Sequence, residues 1–156
     1  MRALIISAVT QPPSRVLALD LGSKTIGLAV SDPLGLTAQG LETIRRASKR
    51  RDLEQLGAAI RDYEISEIVL GYPLNMSGVA GTQAQKAAAF AETLRQRFQL
   101  PVHLWDERLT SAQAGRLLRE TAMSIRRRGQ VVDRVAATLI LQSFLDHRSA
   151  QSSRSV

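Results

Sequence analysis

The stretch Val16 to Val30, VLALDLGSKTIGLAV, decides the fold. From Val16 to Leu21 every position is apolar except Asp20. A run of that kind predicts a strand buried on both faces. Gly22, Ser23 and Lys24 supply a turn, and Thr25 to Val30 reads as a second strand returning beside the first. The anomaly is Asp20. A carboxylate inside a buried strand loses most of its hydration, which is costly unless a cation or hydrogen bonds replace it.

Working outward, Ser31 to Gly35 (SDPLG) is a turn, and Leu36 to Ile44 supplies a third strand, giving an antiparallel start. Arg45, Arg46, Lys49, Arg50 and Arg51 form a basic cluster leading into a helix striped by Leu53, Leu56, Ile60 and Tyr63. Such a cluster is either a solvated face or a phosphate contact. Glu67 to Gly71 is a short apolar strand, followed by a loop from Tyr72 through Gly81, with Thr82 as cap of the next helix. Ala87, Phe90, Leu94 and Phe98 stripe that helix.

Val102 to Trp105 is a further strand, running directly into Asp106-Glu107-Arg108. Thr110 and Gln113 have the spacing of a capping box. Arg119 to Gly129 is basic and broken, with Arg126, Arg127, Arg128 and Gly129 expected to be mobile; Val131 to Leu145 is a last apolar helix. The order of elements predicts an α/β layered domain with a mixed five-stranded sheet flanked by helices. Residues 1–14 read as a flexible extension, 15–146 as the domain and 147–156 as a polar, disordered tail.

Composition narrows the function. A chain of 156 residues suits one domain with a substantial core. No apolar run approaches twenty residues, so no membrane-spanning helix is expected. The opening MRALIISAV has one basic residue and too short an apolar core for a signal peptide. Cysteine is absent, which excludes disulfides and thiolate metal sites and fits a cytoplasmic protein. The net charge of +7 favours a polyanionic partner, nucleic acid ahead of membrane.

Three carboxylates then compete for one site. Asp20 lies in the first strand. Asp106 and Glu107 follow the last strand and, by alternation, cannot both face the same side. Asp133 opens the last helix on the face of Ala136, Ala137, Ile140 and Phe144, the face that packs on the sheet. Each has an ordinary alternative: Asp20 bonded to its own turn or to Lys24, Glu107 paired with Arg108, Asp133 complementing a helix N-terminus. Gathered together, they would repel one another unless divalent cations neutralised them. Oxygen ligands without cysteine point to Mg²⁺ or Mn²⁺. Two such ions on three or four carboxylates are the usual clamp for attack of water on a phosphodiester.

Four blocks carry a resemblance: DLGSKTIGLAVSD (Asp20 to Asp32), GYPLNMSG (Gly71 to Gly78), WDERLTS (Trp105 to Ser111) and VDRVAATLILQSFL (Val132 to Leu145). In order and spacing, from about Arg15 to Leu145, the chain resembles the YqgF/RuvX family of bacterial RNase H-fold proteins related to the RuvC resolvases. The resemblance implies three antiparallel strands followed by two parallel ones. It also implies metal-dependent nuclease chemistry at Asp20, Glu107 and Asp133, with Glu107 rather than Asp106 at the family's glutamate position. Asp20 would bridge two Mg²⁺ or Mn²⁺ ions, with Glu107 and Asp133 each completing one. The family is assigned to maturation of the 5′ end of precursor 16S ribosomal RNA, and some members to resolution of Holliday junctions. Lys24 and Arg108, inside matched blocks, and Arg126, Arg127 and Arg128, on charge alone, are the expected phosphate contacts. Asn75 is a loop residue with a turn-forming role or a contact to the substrate.

The partners implied are precursor ribosomal RNA, branched DNA and a ribosomal particle, met by a monomer or a homodimer. Two other readings stand beside the nuclease. One is a non-catalytic ribosomal RNA-binding assembly factor, which has no need of three anions beside a polyanionic ligand. The other is an actin-like or sugar-kinase phosphate loop, which needs two such domains where this chain has one.

Overall fold

The computed structural model describes residues 14–74, 77–109 and 125–154, with the side chains of 109 and 125–133 outside that description. In chain order the elements are β1 (Arg15–Leu21), β2 (Thr25–Ser31), β3 (Ala38–Gly40), β4 (Ile44–Arg45), α1 (Lys49–Asp62), β5 (Ile65–Tyr72), α2 (Thr82–Phe98) and β6 (Val102–Asp106). A 3-10 turn, Glu107–Leu109, and α3 (Ile125–Arg154) complete them. The sheet runs β3-β2-β1-β5-β6, with β4 also on β2. β1, β2 and the β3–β4 edge are antiparallel, while β5 and β6 lie parallel to β1. This is the mixed α/β sheet expected.

The alternation of β1 explains its burial on both sides. Leu17 and Leu19 face one core with Leu28, Leu56, Ile68 and Leu94, which α1 and α2 cover. Val16 and Ala18 face the other, with Ala29, Val69, Ala137, Ile140 and Leu141, which α3 covers. Ser31 is buried and its Oγ accepts from the Val16 amide at 2.8 Å. Among the described residues no helix is long and apolar enough to cross a membrane.

The third strand is interrupted where a continuous Leu36 to Ile44 was expected. Ala29 pairs with Gly40 and Ile26 with Ile44. Two residues, Gly27 and Leu28, lie between the first members, and three, Leu41, Glu42 and Thr43, between the second. The edge strand therefore carries one extra residue, a β-bulge opposite Gly27. The bulge turns Ile44 into the core beside Ile26 and turns Arg45 to the opposite face.

Other boundaries move for local reasons. The α2 cap is Gly81, extended at φ −81° and ψ −170°, and Thr82, expected as the cap, is the first helical residue. Glycine is well tolerated at that position. β5 begins at Ile65 rather than Glu67. Helix α3 is longer at both ends than Val131 to Leu145. Arg126 to Gly129, expected to be mobile, lie within it; arginine is a good helix former, and one glycine costs only about 1 kcal/mol.

At the other end, the residues expected as a disordered tail are helical to Arg154. Polar composition hid their tertiary partners. Arg148 forks onto Glu67, with Nη2 to Oε2 at 2.9 Å and Nη1 on Oε1, and stacks 4.6 Å from the Phe144 ring. His147 meets Trp105 edge-on at 5.3 Å. The extension before Ser14 and the Thr110–Gln113 capping box lie outside the described residues.

Candidate functional site

Asp20 is 5 % exposed, on the face of β1 that carries Val16 and Ala18 and looks toward α3. Its partner on β2 is Gly27. On the other side Leu19 pairs with Leu70, so one step further brings Gly71 beside Asp20. The carboxylate thus stands between two glycines on neighbouring strands, and the space beside Gly71 is left to other side chains.

Glu107 enters that space from the end of β6. Strand pairing closes at Tyr72 opposite Asp106, and the 3-10 turn starts at Glu107. The change of backbone buries Glu107 to 2 % exposure, while Asp106 stays at the surface edge. An ideal Cβ on Gly71 would lie 2.8 Å from Glu107 Oε1 and 2.8 Å from Ile140 Cδ1, so Gly71 is what admits the carboxylate. The ordinary alternative for Glu107, an ion pair with Arg108, is not the arrangement found. Arg108 instead grips Asp106, with Nε 3.1 Å from both carboxylate oxygens and Nη2 2.8 Å from Oδ2. That guanidinium holds the Asp106 carboxyl below the usual carboxylate range.

The loop after β5 locks onto the same corner. Gly78 has φ +83°, and a Cβ there would meet Arg108 Nη1 at 3.2 Å. The two glycines of the GYPLNMSG block therefore seat two residues of the WDERLTS block, Gly71 under Glu107 and Gly78 against Arg108. Asn75 lies outside the described residues.

Asp133 sits in α3, two turns before Ile140, about 10 Å along the helix axis. Its side chain lies outside the description, as do those of Arg126, Arg127 and Arg128. Lys24 is exposed at the β1–β2 turn. Among the described residues no three acidic or histidine groups gather as a metal cluster. The two described carboxylates of the expected set, Asp20 and Glu107, come from neighbouring parts of one sheet face and are both buried. Oxygen donors alone, with glycines at the neighbouring strand positions, suit a hard divalent cation.

Sequence reasoning missed several contributors. Gly27 and Gly71 were legible only as strand glycines, a signal for close approach in hindsight. Arg46 proves to be a brace: its Nη1 donates to the Gly22 carbonyl at 2.8 Å, its amide donates to the Lys24 carbonyl at 2.8 Å, and its Nε lies 3.4 Å from buried Asp52. Asp52, whose Oδ1 accepts from the Ala47 amide at 3.0 Å, anchors the brace to α1.

Comparison with known proteins agrees with this architecture. Residues 14–147 match the family described as RuvX, Holliday junction resolvase. A relative from Koribacter versatilis (strain Ellin345), named "Putative pre-16S rRNA nuclease", is 57 % identical over 134 residues, covering 86 % of this chain and 88 % of its own. One of the same name from Moorella thermoacetica is 54 % identical over 132 residues, 85 % of this chain and 94 % of its own. Among solved structures, RuvC of T. thermophilus in complex with Holliday junction substrate superposes with a TM-score of 0.54 at 13 % identity, covering 88 % of this chain and 96 % of that one. At that identity the likeness is one of fold.

Proposed function

The chain belongs to the RuvX family, and from that membership we propose that it is a nuclease hydrolysing phosphodiester bonds, acting in maturation of the 5′ end of pre-16S ribosomal RNA. The observation that carries this reading is the pairing of buried Asp20 and Glu107 on one sheet face, between glycines, in a chain of net charge +7. A protein that only bound a polyanion would gain nothing from buried anions at its binding face.

Asp20, Glu107 and Asp133 are the proposed ligands for Mg²⁺ or Mn²⁺, two ions in all. Such ions, when bound, neutralise the carboxylates and supply Lewis-acid activation of water and stabilisation of the leaving oxygen. The chain's own residues do the rest. Asp20 is fixed by a strand whose five inner residues are all buried, and Glu107 by the Gly71 gap. Arg108 holds Asp106 outward, so that only the glutamate of the pair turns into the site. Arg108 is thereby assigned to shaping the corner rather than to gripping phosphate. Lys24 and Arg126 to Arg128 remain the proposed phosphate contacts from the matched block and the arginine run.

A second reading, resolution of Holliday junctions, is favoured by the description of the family itself. Symmetric cutting of a junction needs two active sites, hence a dimer. Incubation with a labelled pre-16S RNA fragment and a four-way DNA junction, in Mg²⁺ or Mn²⁺, separates the two. Cleavage of the RNA with the junction intact supports maturation. Paired, symmetric cuts in the junction with intact RNA support resolution. Binding of RNA with no cleavage of either substrate supports the assembly factor.

A further inference from the structure

The basic cluster of residues 45–51 is not one surface. Arg46 is consumed by the brace to Gly22, Lys24 and Asp52. Arg50 pairs along the helix with Glu54 at 3.4 Å. Lys49, Arg50 and Arg51 belong to the start of α1, and α1 packs on the sheet face opposite Asp20. Arg45 differs. The bulge opposite Gly27 places it across from Thr25, on the same face as Gly27 and Asp20, and it is exposed.

Arg134 reaches the same edge from α3. Its stem lies on β3 at Gly40, where an ideal Cβ would meet Arg134 Cγ at 2.7 Å, and the residue is exposed. Gly40 pairs with Ala29 and Arg45 with Thr25, two residues to either side of Gly27, the partner of Asp20. From strand spacing and rise, Gly40 and Arg45 each lie about 12 Å from Asp20, both on the β3–β4 edge and offset in opposite directions along the strands. Lys24 adds a third exposed cation at the turn, where Arg46 fixes the backbone against β4. None of the three is ion-paired to an acidic side chain among the described residues.

We infer that Lys24, Arg45 and Arg134 form a cationic rim that binds the backbone phosphates of the nucleic-acid strand along the β3–β4 edge of the acidic site. This rests on the nuclease reading for the class of ligand. Three segments distant in sequence supply the rim, so it is absent from any single basic run.

The test is binding of a labelled single-stranded RNA oligonucleotide in EDTA across a KCl series, for the parent and two triple variants. For Lys24→Gln/Arg45→Gln/Arg134→Gln the slope of log K against log[KCl] should flatten by about 2, near 0.7 for each lost phosphate contact. For Lys49→Gln/Arg50→Gln/Arg51→Gln the slope should match the parent. Thermal melting checks folding, because the Arg134 stem packs on Gly40. If that triple variant does not fold, Lys24→Gln/Arg45→Gln should still flatten the slope by about 1.4. A parental slope in the folded rim variant, or equal flattening in the α1 variant, overturns the rim and leaves the nuclease standing. A parent that binds no RNA and cuts nothing overturns both.

Discussion

Gly71 and Glu107 share one volume: a methyl group on Gly71 would stand 2.8 Å from Glu107 Oε1. Ile140 Cδ1 blocks the other escape at the same distance. Gly71→Ala must therefore displace the glutamate or the α3 side chain. Overpacking of this kind costs about 1–3 kcal/mol. Misplacing a catalytic group by an ångström lowers a rate by about a hundredfold. The expected outcome is a folded protein, slightly less resistant to urea, whose cleavage rate falls far more than its stability. Equal activity in Gly71→Ala would show that Glu107 has no exact position to keep.

Arg46→Ala should behave in the opposite way. It leaves Asp52, 2 % exposed, without its guanidinium and frees the Gly22–Lys24 turn. Because Arg46 itself is one-third exposed, the cost is put at about 2–3 kcal/mol, below that of a fully buried pair. Urea unfolding should record that loss, whereas Arg45→Gln, one residue away and exposed, should unfold as the parent does.

The contrast between these neighbours marks the limit of what the sequence carried. The order of apolar runs and helical stripes was enough for the mixed sheet, because a strand buried on both faces leaves an unmistakable apolar run. The preference for Glu107 over Asp106 came from the family block; what the structure adds is that the 3-10 turn starting at Glu107 buries that side chain. What was illegible depended on register. A single inserted residue opposite Gly27 reverses the face of Arg45, and nothing in Leu36 to Arg45 announces a bulge. The helical end of α3 was hidden for a related reason: Arg148 and His147 look like a solvated tail until Glu67 and Trp105 are beside them.

Glu67 makes the pH dependence of stability specific. Its bonds from Arg148, and then from His103 at 2.9 Å, hold its carboxyl below the ordinary value of 4.5. A carboxylate with a lowered folded-state pKa adds stability that is complete above its unfolded pKa and is lost as pH falls through the folded one. Glu67→Gln should thus destabilise the protein by about 1–2 kcal/mol at pH 7, discounted for the half-exposed Arg148. The difference from the parent should shrink below about pH 4. Urea unfolding at pH 7 and pH 3 checks this, and an equal gap at both values would remove the charge of Glu67 from the explanation.

The central claim is that Asp20 and Glu107 are the carboxylates through which this chain cuts a phosphodiester. The measurement that tests it most directly is the rate of cleavage of a pre-16S RNA fragment against Mn²⁺ concentration, for the parent, Asp20→Asn and Glu107→Gln, each shown by melting to be folded. The expected result is metal-dependent cutting by the parent, abolished by EDTA, with each variant slower by at least about a hundredfold at saturating Mn²⁺. Folded variants that cut at the parental rate, or parental cutting indifferent to EDTA, would contradict it.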